Sequence, residues 1–432
     1  MTARIEVTPT PARVDSHLGL VLEGLDPSAA VTLRADLVDD SGILWRSEAE
    51  FPAPAGGRLD CGRQAPLRGP YTGAQPEGLL FGMAPDQPQR ARQHPLKTGL
   101  APTSVRLQAS QLGSTVARAT FELQFVAPGV ERVPVRDHGL VGTAFVPAGT
   151  GPLRAVLVFG GSNGGLSEET AALLASHGLL ALALAYFDAP GLPDQLVEIP
   201  LEYFERALGW LTQHPRARDG RAAVVGRSRG GELALLLGAT YPAVDAVVAY
   251  VPSGIVHAGI RRGGHTWHTD LPAWTREGRP VPFLAHTRSA AAEPGADREP
   301  IACTPEYAAH LADWTAVQRA AIAVERIDGP VLLLSGTADA MWPSSLFSEL
   351  VVARLAQRGF RHPVRHLAFA GAGHRFPLPT LPGTVTESAH PSDGRLYQLG
   401  GSAHANAAAG RRAHRAMLDL LVGEDGRAPS PG

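Results

Sequence analysis

The stretch VVGRSRGGELALLLGA, residues 224–239, decides how this chain is read. A β-branched run ends at Gly226, Ser228 stands between two arginines, Gly230 and Gly231 follow, and a long apolar run closes the stretch. The pattern is a buried strand that turns directly into a helix, and 226–230 fits G-x-S-x-G at the junction. A serine on so tight a turn exposes its hydroxyl, and glycines beside it let strand and helix approach closely. Arg229 opens the helix, so its backbone N–H has no intrahelical acceptor and can face a developing oxyanion. The plain alternative is a strand–helix turn that carries an ordinary exposed serine. Partners elsewhere in the chain decide between the two.

A serine hydroxyl needs a base, and the base needs a carboxylate to orient it. In the fold that carries such a G-x-S-x-G elbow the three follow in the order Ser, Asp, His, each just past a later strand. Asp339 lies just beyond the apolar run VLLLSG, and His374 lies beyond VRHLAFAG with glycines around it. Asp328 competes for the acid, but it precedes its strand and falls at the wrong end of the sheet. His404 in GGSAHANAAAG is the second histidine candidate, with a structural place at the start of the last helix as its alternative. A second oxyanion donor is expected from the loop after an earlier strand. VFGGSNGG at 158–165 supplies it, with Gly161 and Ser162 as the candidate N–H groups. The other reading of that loop, a phosphate cradle, lacks a following GK[ST]. Arg227 and Asn163 are candidate substrate contacts. An arginine beside the nucleophile suits a carboxylate or phosphate, or else points into solvent.

The rest of the chain frames these residues. At 432 residues, two domains are the default. Segments up to about 130, among them RIEVTP, VTLRADLVDD and ARATFELQFV, are short alternating runs spaced by turn residues, as in a β-sandwich. Beyond VERVPV the chain alternates continuous apolar strands with helices, as in a parallel sheet covered on both faces. The expected division is a sandwich over 1–132, a catalytic α/β domain over 133–423, and a disordered tail over 424–432. Between 260 and 315 the periodicity weakens among Pro, Gly and charged residues, and an irregular insertion or lid is expected there.

Composition excludes several classes. A net charge of −2 from 39 basic and 41 acidic residues gives no electrostatic case for nucleic acid or an anionic membrane surface. Two cysteines, Cys61 and Cys303, support neither a disulfide framework nor a zinc cluster. The first fourteen residues hold no apolar core of a leader, and no apolar run reaches spanning length, so a cytoplasmic location is expected. No H-E-x-x-H or other paired-ligand spacing occurs, so no metal is expected, and the serine chemistry needs no cofactor.

At these residues the chain resembles the acyl-CoA thioesterase and bile acid-CoA:amino acid N-acyltransferase family over nearly its whole length. GLDPSAAVTLRADLVDDSG, GPYTGAQPEGLLFGM and FVAPGVERVPVRDHGLVGTAFVPAG resemble the family's first domain. FGGSNGGLSEETAALLASHGLLALALAYFDAPGLP and LEYFERALGWLTQHP are the most specific matches. GRSRGGELAL, GTADAMWPSS and GAGHRF resemble its elbow, acid loop and histidine loop, and GGSAHANAAA the opening of its last helix. The resemblance implies an Ig-like sandwich joined to an α/β-hydrolase domain. It also implies attack by Ser228 on an acyl-CoA thioester to form an acyl-enzyme, released to water or to an amino acid. In that family cysteine nucleophiles amidate and serine nucleophiles hydrolyse, so Ser228 favours hydrolysis. Arginine at 227 and 229 departs from the family pattern, as does the region of His265, Trp267, His268 and Trp274. The alternatives left open are an acyltransferase using an amine or alcohol acceptor, a carboxylesterase, peptidase or carrier-protein thioesterase of the same fold, and an inactive domain that only binds.

Overall fold

The computed structural model describes residues 2–86, 95, 97–262, 270–285 and 299–423. His265, Trp267, His268 and the tail 424–432 lie outside the described residues. The chain forms two units. The first comprises Met1–Ala127, Arg375–Ser388 and Ser402–His414, and the second comprises Pro128–His374, Ala389–Gly401 and Arg415–Gly432.

The first unit is all-β over its N-terminal part. Arg4–Thr8, Gly19–Glu23 and Leu59–Asp60 make one small antiparallel sheet, and a six-stranded sheet is built around Val31–Val38, Leu44–Phe51, Thr103–Gln111 and Ser114–Gln124. Side chains on a strand alternate between faces, and Thr103–Gln111 buries every second residue. This is the Ig-like sandwich expected from the alternating runs. Its boundary differs from the expected single crossing at 132/133. Glu131–Val135 pairs with Val141–Val146 in the second unit's sheet, and two later segments return to the first unit. The first return is held by hydrogen bonds to backbone carbonyls: Thr380 donates to Val14 O through N and Oγ1 (3.0 and 2.8 Å), and Gly383 N donates to Phe81 O (2.9 Å). Such long-range pairings leave no trace in local periodicity.

The second unit carries an eight-stranded sheet, numbered here in chain order: β1 Glu131–Val135, β2 Val141–Val146, β3 Leu153–Phe159, β4 Leu180–Ala185, β5 Ala217–Arg227, β6 Val244–Tyr250, β7 Val331–Gly336 and β8 Val364–Phe369. Their order is β1-β2-β4-β3-β5-β6-β7-β8. The pairings β1–β2 and β2–β4 are antiparallel and all the rest are parallel. This is an α/β-hydrolase fold. Central strands of such a sheet are covered on both faces, which is why β4 (LALALA) and β7 (VLLLSG) are continuous apolar runs, buried throughout. Helices α1 Glu168–Ser176, α2 Leu201–Thr212, α3 Arg229–Thr240 and α4 Ser344–Gln357 follow β3, β4, β5 and β7. In α2 the buried residues Leu201, Phe204, Leu208 and Leu211 fall at helical spacing, the stripe a helix turns toward a sheet. Among the described parts of 260–315 are the strands Trp274–Arg276 and Arg279–Pro280 and a helix Thr304–His310. No helix of the described residues is long and apolar enough to cross a membrane.

Candidate active site

Ligand sites on open α/β sheets lie beyond the carboxyl ends of the strands, because the loops there are free to vary over a rigid base. In the second unit that edge gathers residues from the ends of β3, β5, β7 and β8.

Ser228 follows β5 directly and has φ 58° and ψ −121°, a backbone conformation that L-residues seldom adopt. The turn is held from both sides. Ser228 N donates to Tyr250 O at the end of β6 (2.8 Å), and Ser228 O accepts from Gly231 N and Glu232 N (2.7 and 3.0 Å). Packing explains the flanking glycines. A methyl at 226 would sit 2.0 Å from Gly230 O, and one at 230 would sit 2.2 Å from Gly160 O.

The side chains then meet across 146 residues of sequence. His374 Nε2 lies 2.9 Å from Ser228 Oγ, and His374 Nδ1 lies 2.8 Å from Asp339 Oδ2. Asp339 Oδ1 accepts from the N–H groups of Met341 and Trp342 (3.0 and 3.2 Å), which fixes the carboxylate plane. With every Asp339 contact a donor, the Nδ1 proton of His374 points at Asp339, and Nε2 is left to accept from the serine. Asp339 and His374 are both buried, and the Trp342 ring lies edge-on to His374 at 5.9 Å. An imidazole so held can take the proton of a hydroxyl and return it to a leaving group.

The loop after β3 packs on the elbow: a methyl at Gly161 would lie 3.1 Å from Ser228 Cβ and 3.6 Å from Arg229 N. Ser162 is half-buried, and Asn163 is exposed. The competitors fall elsewhere. Asp328 pairs with Arg221 (3.0 Å) and His362 (3.2 Å) ahead of β7. His404 belongs to the first unit, where its ring meets the edge of Phe81 at 6.3 Å.

The flanking arginines neither run into solvent nor stand idle. Arg227 lies over the Tyr250 ring, 4.9 Å from its centroid. Arg229 is 2% exposed; its guanidinium donates to Glu232 Oε2 (2.8 Å) and to the carbonyls of His257 (2.9 Å) and Ala258 (3.2 Å). Glu232, fully buried, also accepts from Trp274 Nε1 (2.8 Å) and His257 N (3.3 Å). Burial pushes the Glu232 carboxyl up to about 7, against the pull of Arg229 and its other donors. Sequence reasoning passed over Glu232 and Trp342. A lone acid three residues after Arg229, inside an apolar helix, was the available signal for the first. Trp342, which donates to Val251 O (2.9 Å), gave none.

Two family models and several curated proteins match the chain over most of its length. The family described as BAAT / Acyl-CoA thioester hydrolase C terminal matches residues 199–422, and Acyl-CoA thioester hydrolase/BAAT N-terminal region matches 15–137. The chain is 32% identical to acyl-coenzyme A thioesterase 6 of Mus musculus, covering 97% of this chain and 94% of that one. It is 31% identical to the peroxisomal succinyl-coenzyme A thioesterase of Mus musculus, covering 88% and 87%. Among solved structures, a putative dienelactone hydrolase from Klebsiella pneumoniae subsp. pneumoniae MGH 78578 aligns at 16% identity and a TM-score of 0.40, over 68% of this chain and 97% of that one.

Proposed function

The chain belongs to the BAAT / acyl-CoA thioester hydrolase family, and on that premise we propose that it hydrolyses acyl-CoA thioesters through an acyl-enzyme on Ser228. The observation that carries the reading is the single imidazole, His374, within hydrogen-bond distance of both Ser228 Oγ (2.9 Å) and Asp339 Oδ2 (2.8 Å).

In the first half-reaction His374 Nε2 takes the Ser228 proton as Oγ attacks the thioester carbonyl carbon. The carbonyl oxygen becomes an oxyanion, stabilised by the Arg229 N–H and by N–H groups of Gly161 and Ser162. The tetrahedral intermediate collapses by breaking the carbon–sulfur bond. CoA leaves as the thiol, protonated by His374, and the acyl group stays on Oγ. In the second half-reaction His374 deprotonates a water, which attacks the acyl-enzyme. The carbon–Oγ bond breaks, Ser228 regains its proton and a free acid departs. Asp339 holds the ring and stabilises the imidazolium in both halves. Arg227 and Asn163 remain candidates for contact with the CoA or acyl moiety; the stacking of Arg227 on Tyr250 leaves Asn163, exposed beside Ser162, the better placed.

Thiol release from a panel of acyl-CoAs tests the reading, with wild type and Ser228→Ala side by side and glycine or taurine added in parallel. Wild type is expected to release thiol and free acid with or without the amine. Ser228→Ala is expected to lose about 10⁴-fold or more in turnover with its melting temperature kept. An amide product would make the enzyme an acyltransferase. Ester cleavage or carrier-protein thioester cleavage without any acyl-CoA turnover would keep the triad and replace the substrate.

A further inference from the structure

Within the second unit, one segment late in the chain, 389–401, touches three of the loops that build the site. The Leu399 carbonyl accepts from His374 N (2.7 Å) and Ala340 N (3.4 Å), and Gly400 and Gly401 bridge to Asp339 and Ala372. At the segment's other end His390, 5% exposed, sets its Nε2 2.9 Å from Ser162 Oγ in the loop after β3.

The direction of that hydrogen bond follows from its neighbours. His390 Nδ1 faces two donors of Ser392, its N–H (3.2 Å) and its hydroxyl (2.5 Å); with the backbone N–H able only to donate, Nδ1 is the acceptor, the ring proton of a neutral His390 is on Nε2, and it is donated to Ser162 Oγ. Burial lowers the His390 pKa to about 4, against the pull of Asp393, so the ring is neutral at neutral pH. The ring is itself wedged: Tyr397 meets it edge-on at 6.0 Å, and Tyr397 Oη donates to Asp393 Oδ2 (2.7 Å).

The same loop is gripped a second time. Tyr186 Oη lies 2.9 Å from Gly160 O and 3.2 Å from Gly161 O. In a trans peptide the C=O and the following N–H point in opposite directions. With those carbonyls turned toward Tyr186, the N–H groups of Gly161 and Ser162 are turned away from it. These are the two of the three proposed oxyanion donors that this loop supplies, and the loop packs against Ser228.

We propose that His390 is a positioning residue: by donating to Ser162 Oγ it holds the loop after β3 so that the Gly161 and Ser162 N–H groups stay aimed at the oxyanion formed on attack by Ser228. This rests on the serine mechanism above and adds a residue to it. In this role His390 acts through the loop on the oxyanion donors, so its contribution is expected in kcat more than in KM.

The test compares wild type, Ser228→Ala, His390→Ala, His390→Gln, Ser162→Ala and the double variant His390→Ala/Ser162→Ala. Each is assayed on an acyl-CoA and on p-nitrophenyl acetate, and each is titrated with an alkyl boronic acid, which forms a tetrahedral adduct on a serine. His390→Ala is expected to lower kcat about 10- to 100-fold with KM within about threefold, and to weaken the boronic acid by a similar factor. His390→Gln, whose amide nitrogen can replace Nε2, is expected to recover most of the loss. The double variant is expected to be no worse than the poorer single variant, because both remove one contact. A loss in His390→Ala that shows in KM alone, that tracks a fall in melting temperature, or that spares boronic acid binding overturns the proposal, as does unchanged kcat. If Ser228→Ala abolishes ester cleavage while no acyl-CoA is turned over, only the substrate reading falls, and the His390 comparison is read on the ester. If Ser228→Ala changes nothing, or wild type is inert to both substrates and to the boronic acid, the mechanism fails and this inference with it.

Discussion

At 224–239 the decisive signal is local. The strand, the turn and the helix are consecutive, and a methyl at Gly226 would meet Gly230 O four residues on, although Gly230 also packs on Gly160 O and Ser228 N on Tyr250 O, both remote in sequence. At 389–401 no such local signal exists. Its residues reach Ala340, Ala372 and His374, all earlier in the chain, and Ser162, which lies 228 residues before His390. Both regions hold the same triad in place. The first does so by steric exclusion that composition reveals, the second by backbone and side-chain contacts that exist only after folding. Functional geometry in this molecule is therefore built twice, once where the sequence shows it and once where it does not.

The comparison can be broken or sharpened by substitution, taken here from the largest expected effect on turnover to the smallest. Gly226→Ala forces a methyl to within 2.0 Å of Gly230 O, a backbone atom that cannot swing aside. A loss of about 4 kcal/mol or more and turnover at background are expected, read by urea denaturation and thiol release. Gly400→Ala tests the remote segment in the same way. Its φ is +76°, and the added methyl would meet Ala338 O at 2.1 Å. Because Gly400 bridges Asp339, the acid loop must shift, and turnover is expected to fall about 30-fold, with an unfolding cost of about 4 kcal/mol, like that of Gly226→Ala. A Gly400→Ala enzyme with full kcat would show that the segment only covers the site.

Arg229→Met keeps the backbone N–H of the oxyanion donor but strips Glu232 of its cation. A cost of about 3 kcal/mol is expected, with kcat of the folded enzyme within about tenfold of wild type. The pH dependence has a definite sign. The folded pKa of Glu232, about 7, is above its unfolded value, so its contribution to stability is present below the unfolded value and is lost as pH rises through about 7. Without Arg229 the folded pKa rises further, and stability goes on falling above pH 7 where wild type has levelled off. Denaturation at pH 6 and pH 8.5 should therefore show a deficit that widens with pH; a constant or shrinking deficit would contradict the buried ion pair. The smallest effect is expected for His404→Ala, only four residues beyond Gly400 in the chain but packed on Phe81 in the first unit. Its turnover should stay within about threefold of wild type, with roughly 1 kcal/mol lost to ring packing. A large loss of kcat would return His404 to the list of candidate bases.

Much of this was legible beforehand because it rests on short-range physics. Continuous apolar runs such as LALALA marked buried parallel strands, and the order Ser, Asp, His past successive strands placed three residues that the fold brings within hydrogen-bond distance. What escaped depended on distance. The sequence did not show that Arg227 stacks on Tyr250 or that Arg229 is sealed against Glu232 instead of facing solvent, because a charge's surroundings are set by elements that pack over it. The domain boundary moved for the same reason: 375–388 and 402–414 have no sandwich pattern of their own and join the first unit through contacts with Val14, Phe81 and Met83.

The amino-acid sequence by itself determined the β-then-α/β architecture, the elbow around Ser228 and the order of its partners, since each follows from side-chain period, glycine sterics and chain direction. Only the tertiary structure decided that Glu232 pairs with the arginine beside Ser228, that Tyr186 and His390 grip the loop after β3, and where one unit ends and the other resumes. Those features are hydrogen bonds and ion pairs between groups far apart in the chain. Their energy depends on burial and on separations of about 3 Å, which no local run of residues specifies.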